Sequence, residues 1–275
     1  MSSQVAQGAP RANARERSCR PRCGGAFARA FKGEALKGRR AAPRKIALIA
    51  PLPFCALGMS AGGMGGGGAV GAFSTYGWNW WCALMLPIAA ALMAASVANI
   101  DARQGLRPVL GLPLPPAATW WAKAAYALSL VFAANLVVFA ANVVVVAAGG
   151  GAPTVLAGLA TAVMVTVASS WMVPAVLFLT MRFGTLAGIV VPVLVQITVG
   201  IVMGWSDVWF LFPMASALCA PAPFTGVAPS GVPLASGDAL GMLGWQTAAG
   251  LGVSAALFAL LAVLGARWFS GREVR

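Results

Sequence analysis

The sequence predicts an all-α polytopic membrane protein with six transmembrane helices and both termini in the cytoplasm. Three observations carry that reading. Of 275 residues, 60% are hydrophobic and 9% charged, with mean hydropathy +0.83, whereas soluble domains carry roughly 25% charged residues. Apolar stretches of about 20 residues recur, each able to cross ~30 Å of hydrocarbon as a helix, and the strand alternation of a membrane barrel is absent. All nineteen lysines and arginines fall on one side of a six-pass arrangement.

Residues 1–24, rich in Ala, Arg, Ser and Gly, have little to bury and read as a disordered basic extension. Residues 25–44 read as a cytoplasmic, interfacial segment. Its short helix runs from about Phe27 to Leu36, with Phe27, Ala30 and Phe31 on one side and Leu36 off that stripe. Residues 45–275 form the six-span domain, with spans at about 46–65, 81–100, 124–148, 155–180, 185–204 and 243–264. A glycine-rich loop ending in Tyr76-Gly77-Trp78-Asn79-Trp80-Trp81 precedes span two, and a polar segment, Asp101 to Lys123, follows it. The long loop from Trp205 to Gly241 contains Val208-Trp209-Phe210-Leu211-Phe212-Pro213-Met214. That stretch is too apolar for free solvent and is expected to lie in the interface or dip back into the bilayer.

The net charge of +13 is concentrated near the start, where residues 1–45 hold twelve basic residues against Glu16 and Glu34. In a soluble protein such a balance would suggest nucleic acid. Before a first membrane span it reads instead as an anchor on anionic lipid headgroups, so no nucleic-acid partner is expected. Arg103, Arg107, Lys123, Arg182, Arg267, Arg272 and Arg275 complete the cytoplasmic set, while the other three loops carry only Asp207 and Asp238. Nine of the ten tryptophans sit at expected interface depth, and Trp171 is expected to pack within the bundle. Arg39-Arg40 ahead of an apolar run is not a twin-arginine export signal, because its neighbours do not fit and five further spans follow.

Most catalytic chemistry is excluded. The sequence has no P-loop, and the Gly66, Gly68, Gly71 match to G-x-G-x-x-G follows no strand. There is no histidine, and Cys19 and Cys23 lack a second ligand pair, so neither metal site nor catalytic residue is expected. Within the spans as drawn there is no ionisable residue, which argues against a self-powered, ion-coupled transporter. Asn135 and Asn142, two turns apart on span three, and Gln196 on span five are expected to hydrogen-bond between helices; a substrate path is the competing role. Small residues at Ala248, Gly252 and Ala256 permit close helix contact.

Several stretches carry a family resemblance. They are Gly33-Glu34-Ala35-Leu36-Lys37 with Ile49-Ala50-Pro51, then Tyr76-Gly77-Trp78-Asn79-Trp80-Trp81. Next come Arg107-Pro108-Val109-Leu110-Gly111-Leu112-Pro113 with Trp120-Trp121-Ala122-Lys123, and finally Pro221 to Pro233 around Gly226-Val227-Ala228-Pro229-Ser230-Gly231. With six spans, these resemble ABC-2-type exporter permeases, and more narrowly the permease subunits of lantibiotic immunity transporters, the MutE/EpiE family. The first 24 residues have no counterpart in that pattern, and Ser230 stands where an asparagine is expected.

The resemblance implies a permease subunit of the bacterial cytoplasmic membrane, without enzymatic activity or a cofactor of its own. ATP and Mg²⁺ would be used by a separate cytosolic ATPase, docked on Glu34, Lys37, Arg103, Gln104, Arg107 and Leu110. It also implies a homodimer or a sister six-span permease. The substrate would be a lantibiotic, a cationic amphipathic peptide expelled for self-immunity, with Trp205, Asp207, Trp209 and Phe210 as outer contacts. The alternatives are a membrane immunity or sensor protein that binds peptide without moving it, or an ABC-2 permease for another amphipathic substrate.

Overall fold

The computed structural model describes residues 23–39, 41–61, 68–102, 114–148 and 155–271. Six helical stretches are long and apolar enough to cross a membrane: Ala42–Ala61, Val70–Asp101, Pro116–Ala148, Val155–Phe183, Thr185–Met203 and Trp245–Ser270. They form a bundle that alternates in direction. Thr185 Oγ1 donates to Asn99 Oδ1 at 3.0 Å, and Trp268 stacks edge-on against Phe178 at 4.9 Å, so these helix ends share the end that carries the basic residues.

Ahead of span one lies the N-terminal helix, Cys23–Lys37, packed against the start of span three. Its buried stripe is Ala26, Ala30 and Glu34, one residue every four, with Phe31 edge-on to Tyr126 at 6.3 Å. Phe27, on the same side as Ala30 and Phe31 in the sequence reading, is 40% exposed and stacks on Phe31 at 6.2 Å. Arg44 donates to Tyr126 Oη at 3.2 Å and to the Ala35 carbonyl at 2.7 Å, pinning the chain where it turns into span one. That span is broken at Pro51 into Ala42–Ile49 and Leu52–Ala61; the proline nitrogen cannot donate, and the ladder restarts when Phe54 and Cys55 bond the Pro51 carbonyl.

Span two begins earlier than the sequence suggests. The stretch read as the end of a glycine-rich loop is helical from Gly68, with π-helical turns over Phe73–Asn79 and Trp81–Met85 leading into the α-helix Leu86–Ala102. Close packing accounts for this. A Cβ on Gly58 of span one would lie 2.9 Å from the Phe73 ring and 3.0 Å from the Gly77 nitrogen, so the two glycines let the backbones meet around Phe73. Phe73, Trp78 and Trp81 are buried, which rewards helix where composition alone reads loop.

Span three also starts earlier, at Pro116, and its 33 residues extend about 50 Å, well beyond the hydrocarbon thickness. Trp120 in its first turns donates to the Ala262 carbonyl at 2.9 Å and turns that edge of its ring onto span six. A Cβ on Gly265 would come within 2.0 Å of that indole, so only glycine fits there. Lys123 therefore belongs to a buried stretch of span three, which corrects the expectation of spans without ionisable residues.

Span four is two helices, Val155–Ser169 and Met172–Phe183. Pro174 removes the N–H that would bond Ser170, and Val173 takes that carbonyl instead, at 3.0 Å. One residue, Gly184 at φ 99°, reverses the chain into span five. Asn135 accepts from Trp81 Nε1 at 2.8 Å and donates to Thr166 at 2.9 Å, tying spans two, three and four together. Gln196 accepts from Trp171 at 3.0 Å and donates to the Met214 carbonyl at 2.9 Å. Such bonds are worth ~0.6 kcal/mol each inside a membrane, but here they also fix which helices are neighbours.

After span five the chain turns back into the bundle. A 3₁₀ turn, Trp209–Leu211, leads to the short helix Pro213–Cys219, which packs between spans four, five and six with Ala215 to Cys219 buried. Gln196 lies seven residues before the end of span five, so its bond to Met214 places the start of this helix about 10 Å inside the bundle. Within the apolar run from Val208 to Met214, Trp209 and Pro213 find protein cover, while Val208 and Leu211 stay exposed on the bundle surface. Beyond it, Val227 and Pro233 bridge across a tight β-turn at Ala228–Gly231, and the Pro229 carbonyl accepts from Asn79 at 3.5 Å.

Candidate functional site

Two places concentrate charge, one at each end of the bundle. At the basic end, Glu34 and Asp101 meet Lys37 and Lys123. Lys123 Nζ lies 2.8 Å from Glu34 Oε2 and also contacts Asp101 Oδ2, while Lys37 Nζ lies 3.0 Å from Glu34 Oε1 and 3.1 Å from Asp101 Oδ1. Each carboxylate therefore touches both ammonium groups, and the cluster is neutral. Lys123 is 0% exposed, and Glu34 and Asp101 are each 2% exposed; only Lys37 reaches the surface, with 32% of its side chain accessible. Burial alone would lower the Lys37 pKa, but the Glu34 and Asp101 carboxylates outweigh it and raise it above the ordinary lysine value.

The cluster joins three elements. Glu34 and Lys37 belong to the N-terminal helix, Asp101 ends span two, and Lys123 lies near the start of span three. It therefore sits at the root of the segment 102–115, and what holds that root also holds the N-terminal helix. Of the residues read as docking contacts, Glu34 is turned inward with its carboxylate occupied, Lys37 is partly accessible, and Arg103, Gln104, Arg107 and Leu110 lie outside the described residues.

At the opposite end a cavity of about 380 Å³ opens between the turn after span five, the 228–229 hairpin, the 3₁₀ turn Ala239–Gly241 and the start of span six. Trp205, Asp207, Trp209, Asp238 and Gln246 supply its distinctive groups. Trp205 is 69% exposed at the rim and Trp209 is 5% exposed at the wall. Asp238 Oδ1 accepts from the Leu240 N–H at 3.0 Å, fixing that carboxylate at the head of its turn. A second cavity of about 240 Å³ shares Trp209, Leu240 and Gln246 and continues along Met242 and Trp245. Phe210 stacks edge-on against Trp245 at 4.9 Å and so stands beside this second cavity.

The structure thus brings Trp205, Asp207 and Trp209 into one cavity with Phe210 adjacent, and adds Asp238 and Gln246, which sequence reasoning had not placed there. It keeps Asn135 and Gln196 apart from that cavity, with their amides in interhelical bonds. Asn142 is half-buried on span three with no side-chain hydrogen bond. Among the described residues, no group of three or more metal-ligating side chains occurs. Searches against family models, curated proteins and solved structures return no match.

Proposed function

We propose that this chain is the membrane-spanning permease subunit of an ATP-driven exporter that expels a cationic amphipathic peptide of the lantibiotic kind, giving the producing cell immunity. The observation that carries the reading is the division of charge between the two ends. With the basic end in the cytoplasm, as the positive-inside rule requires, the cavity holding Asp207 and Asp238 faces outward, where a cationic peptide would be encountered. The chain has no nucleotide-binding loop, so a cytosolic ATPase would supply the energy. Its docking face would be the cytoplasmic loop around Arg103 to Leu110 together with Lys37.

The buried ion cluster gives such docking a mechanical route. A push on the loop meets its root at Asp101 and Lys123, and the same charges hold the N-terminal helix, so these parts would shift as one body. Spans two and three carry that displacement inward, and a second permease subunit completes the path between the two.

The test is release of a lantibiotic from loaded membrane vesicles holding the chain with its ATPase. Release should require ATP and disappear when the Walker lysine of the ATPase is replaced by alanine. Peptide binding without ATP-dependent release would identify a sensor or immunity protein instead and overturn the exporter reading.

A further inference from the structure

We infer that the open cavity opposite the basic end is a binding site for one cationic side chain, a primary ammonium or guanidinium, carried next to an apolar residue in a peptide. Four observations converge on it. First, among the described residues neither Asp207 nor Asp238 has a cationic partner, and the only hydrogen bond to either side chain is the Leu240 N–H on Asp238 Oδ1. A cation entering the cavity finds two carboxylates that are not already paired with one.

Second, two polar groups in the wall are left without partners. Trp209 is nineteen-twentieths buried, yet its indole N–H makes no hydrogen bond, whereas Trp81, Trp120 and Trp171 each donate to an oxygen. Its benzo edge is spent on span six, where a Cβ on Gly250 would lie 3.2 Å from Cζ3, so the N–H is at the far corner of the ring. The Gln246 carboxamide, which also lines both cavities, is likewise unpaired. An indole N–H donates and cannot pair with a cation, so the partner it calls for is an acceptor, the backbone carbonyl beside the cationic side chain, which the half-buried Gln246 carboxamide can meet as well.

Third, Trp205, 69% exposed at the rim, presents an indole surface beside the carboxylates, and an ammonium or guanidinium is attracted to both kinds of group. Fourth, the second cavity opens from the same wall and is lined by Met242 and Trp245, with no charged residue. The pair of cavities therefore matches a cationic residue followed by a large apolar one. The inference extends the proposed substrate class to a particular place. It rests on that reading only for which peptide occupies the place in the cell.

Calorimetry on the full chain in nanodiscs of zwitterionic lipid tests the site without any ATPase. The probes are acetyl-Lys-Leu-amide, its norleucine analogue acetyl-Nle-Leu-amide, which has no charge, and acetyl-Lys-Gly-amide. The lysine probe should bind saturably, the norleucine probe should not bind measurably, and the glycine probe should bind about tenfold more weakly. Asp207→Asn and Asp238→Asn should each weaken the lysine probe about tenfold. Asp238→Asn keeps an oxygen for the Leu240 N–H, so the turn survives, and thermal unfolding should confirm that both variants are folded. Equal binding of the lysine and norleucine probes, or undiminished binding to the Asp207→Asn, Asp238→Asn double variant, overturns the site. Binding that behaves as expected alongside absent ATP-dependent release would retain the site and remove only the exporter reading.

Discussion

The two ends of this molecule use carboxylates in opposite ways. Glu34 and Asp101 are sealed from water and each is shared between Lys37 and Lys123, so their charge is fully spent inside the protein. Asp207 and Asp238 stand in an open cavity that, among the described residues, no lysine or arginine lines. A buried carboxylate without its counter-ion would cost several kcal/mol, so the first pair is tied to the architecture around it. The second pair costs little because water reaches it, which leaves its field available to a visitor. Identical chemistry thus divides into a structural weld and an open, unpaired charge by burial and pairing alone.

The comparison is broken most severely at Lys123. Lys123→Met leaves Glu34 and Asp101 buried with only Lys37 between them, and should destabilise the protein by about 3–5 kcal/mol. Thermal unfolding in detergent, with protease cleavage of the N-terminal helix as a local readout, measures this. Adding Glu34→Gln to Lys123→Met, which leaves one carboxylate facing one ammonium, should restore a large part of the loss. If the double variant were as unstable as the single one, the charges would not be coupled.

A gentler probe is pH. The folded pKa of Lys37 is raised above its ordinary value of 10.5, so the stability this lysine contributes is complete below pH 10.5 and is lost as pH rises through the folded pKa. The stability gap between the native protein and Lys37→Met should accordingly be flat across neutral pH and close only above 10.5. A gap that changed between pH 6 and 8 would contradict the cluster as described. The smallest effect belongs to the other end. Asp207→Asn should change unfolding stability by no more than about 0.5 kcal/mol, since its carboxylate has no partner to lose. A larger loss would show that Asp207 is spoken for within the protein, and the contrast between the ends would fail.

Much of this was legible in the sequence for a simple reason: lipid imposes length and apolarity on each span, and those are properties of contiguous residues. Six spans and the inward-packed Trp171 both follow from local composition. What escaped detection depends on partners distant in sequence. Lys123 was cut from span three because a lone lysine ends an apolar window, yet it is neutralised by residues 22 and 89 positions away. Similarly, Phe73 to Trp81 read as loop because the glycines on either side hide how closely spans one and two approach. At the open site, Asp207 and Trp209 were noticed as loop residues of the right chemistry. Asp238 and Gln246 were not, since only the fold of the 227–233 bridge and the turn at Ala239 brings them alongside.

The 89-residue separation between Glu34 and Lys123 also orders events during synthesis. Until Lys123 is made, Glu34 and Asp101 have one ammonium between them and nothing to lay the N-terminal helix against. At a ribosomal rate of about 5–20 residues per second, that helix waits roughly 4 to 18 seconds after Glu34 is made before its permanent seat exists. The weld at the basic end is therefore also a late step in biogenesis, closing the entry to the bundle only after the third span has been delivered.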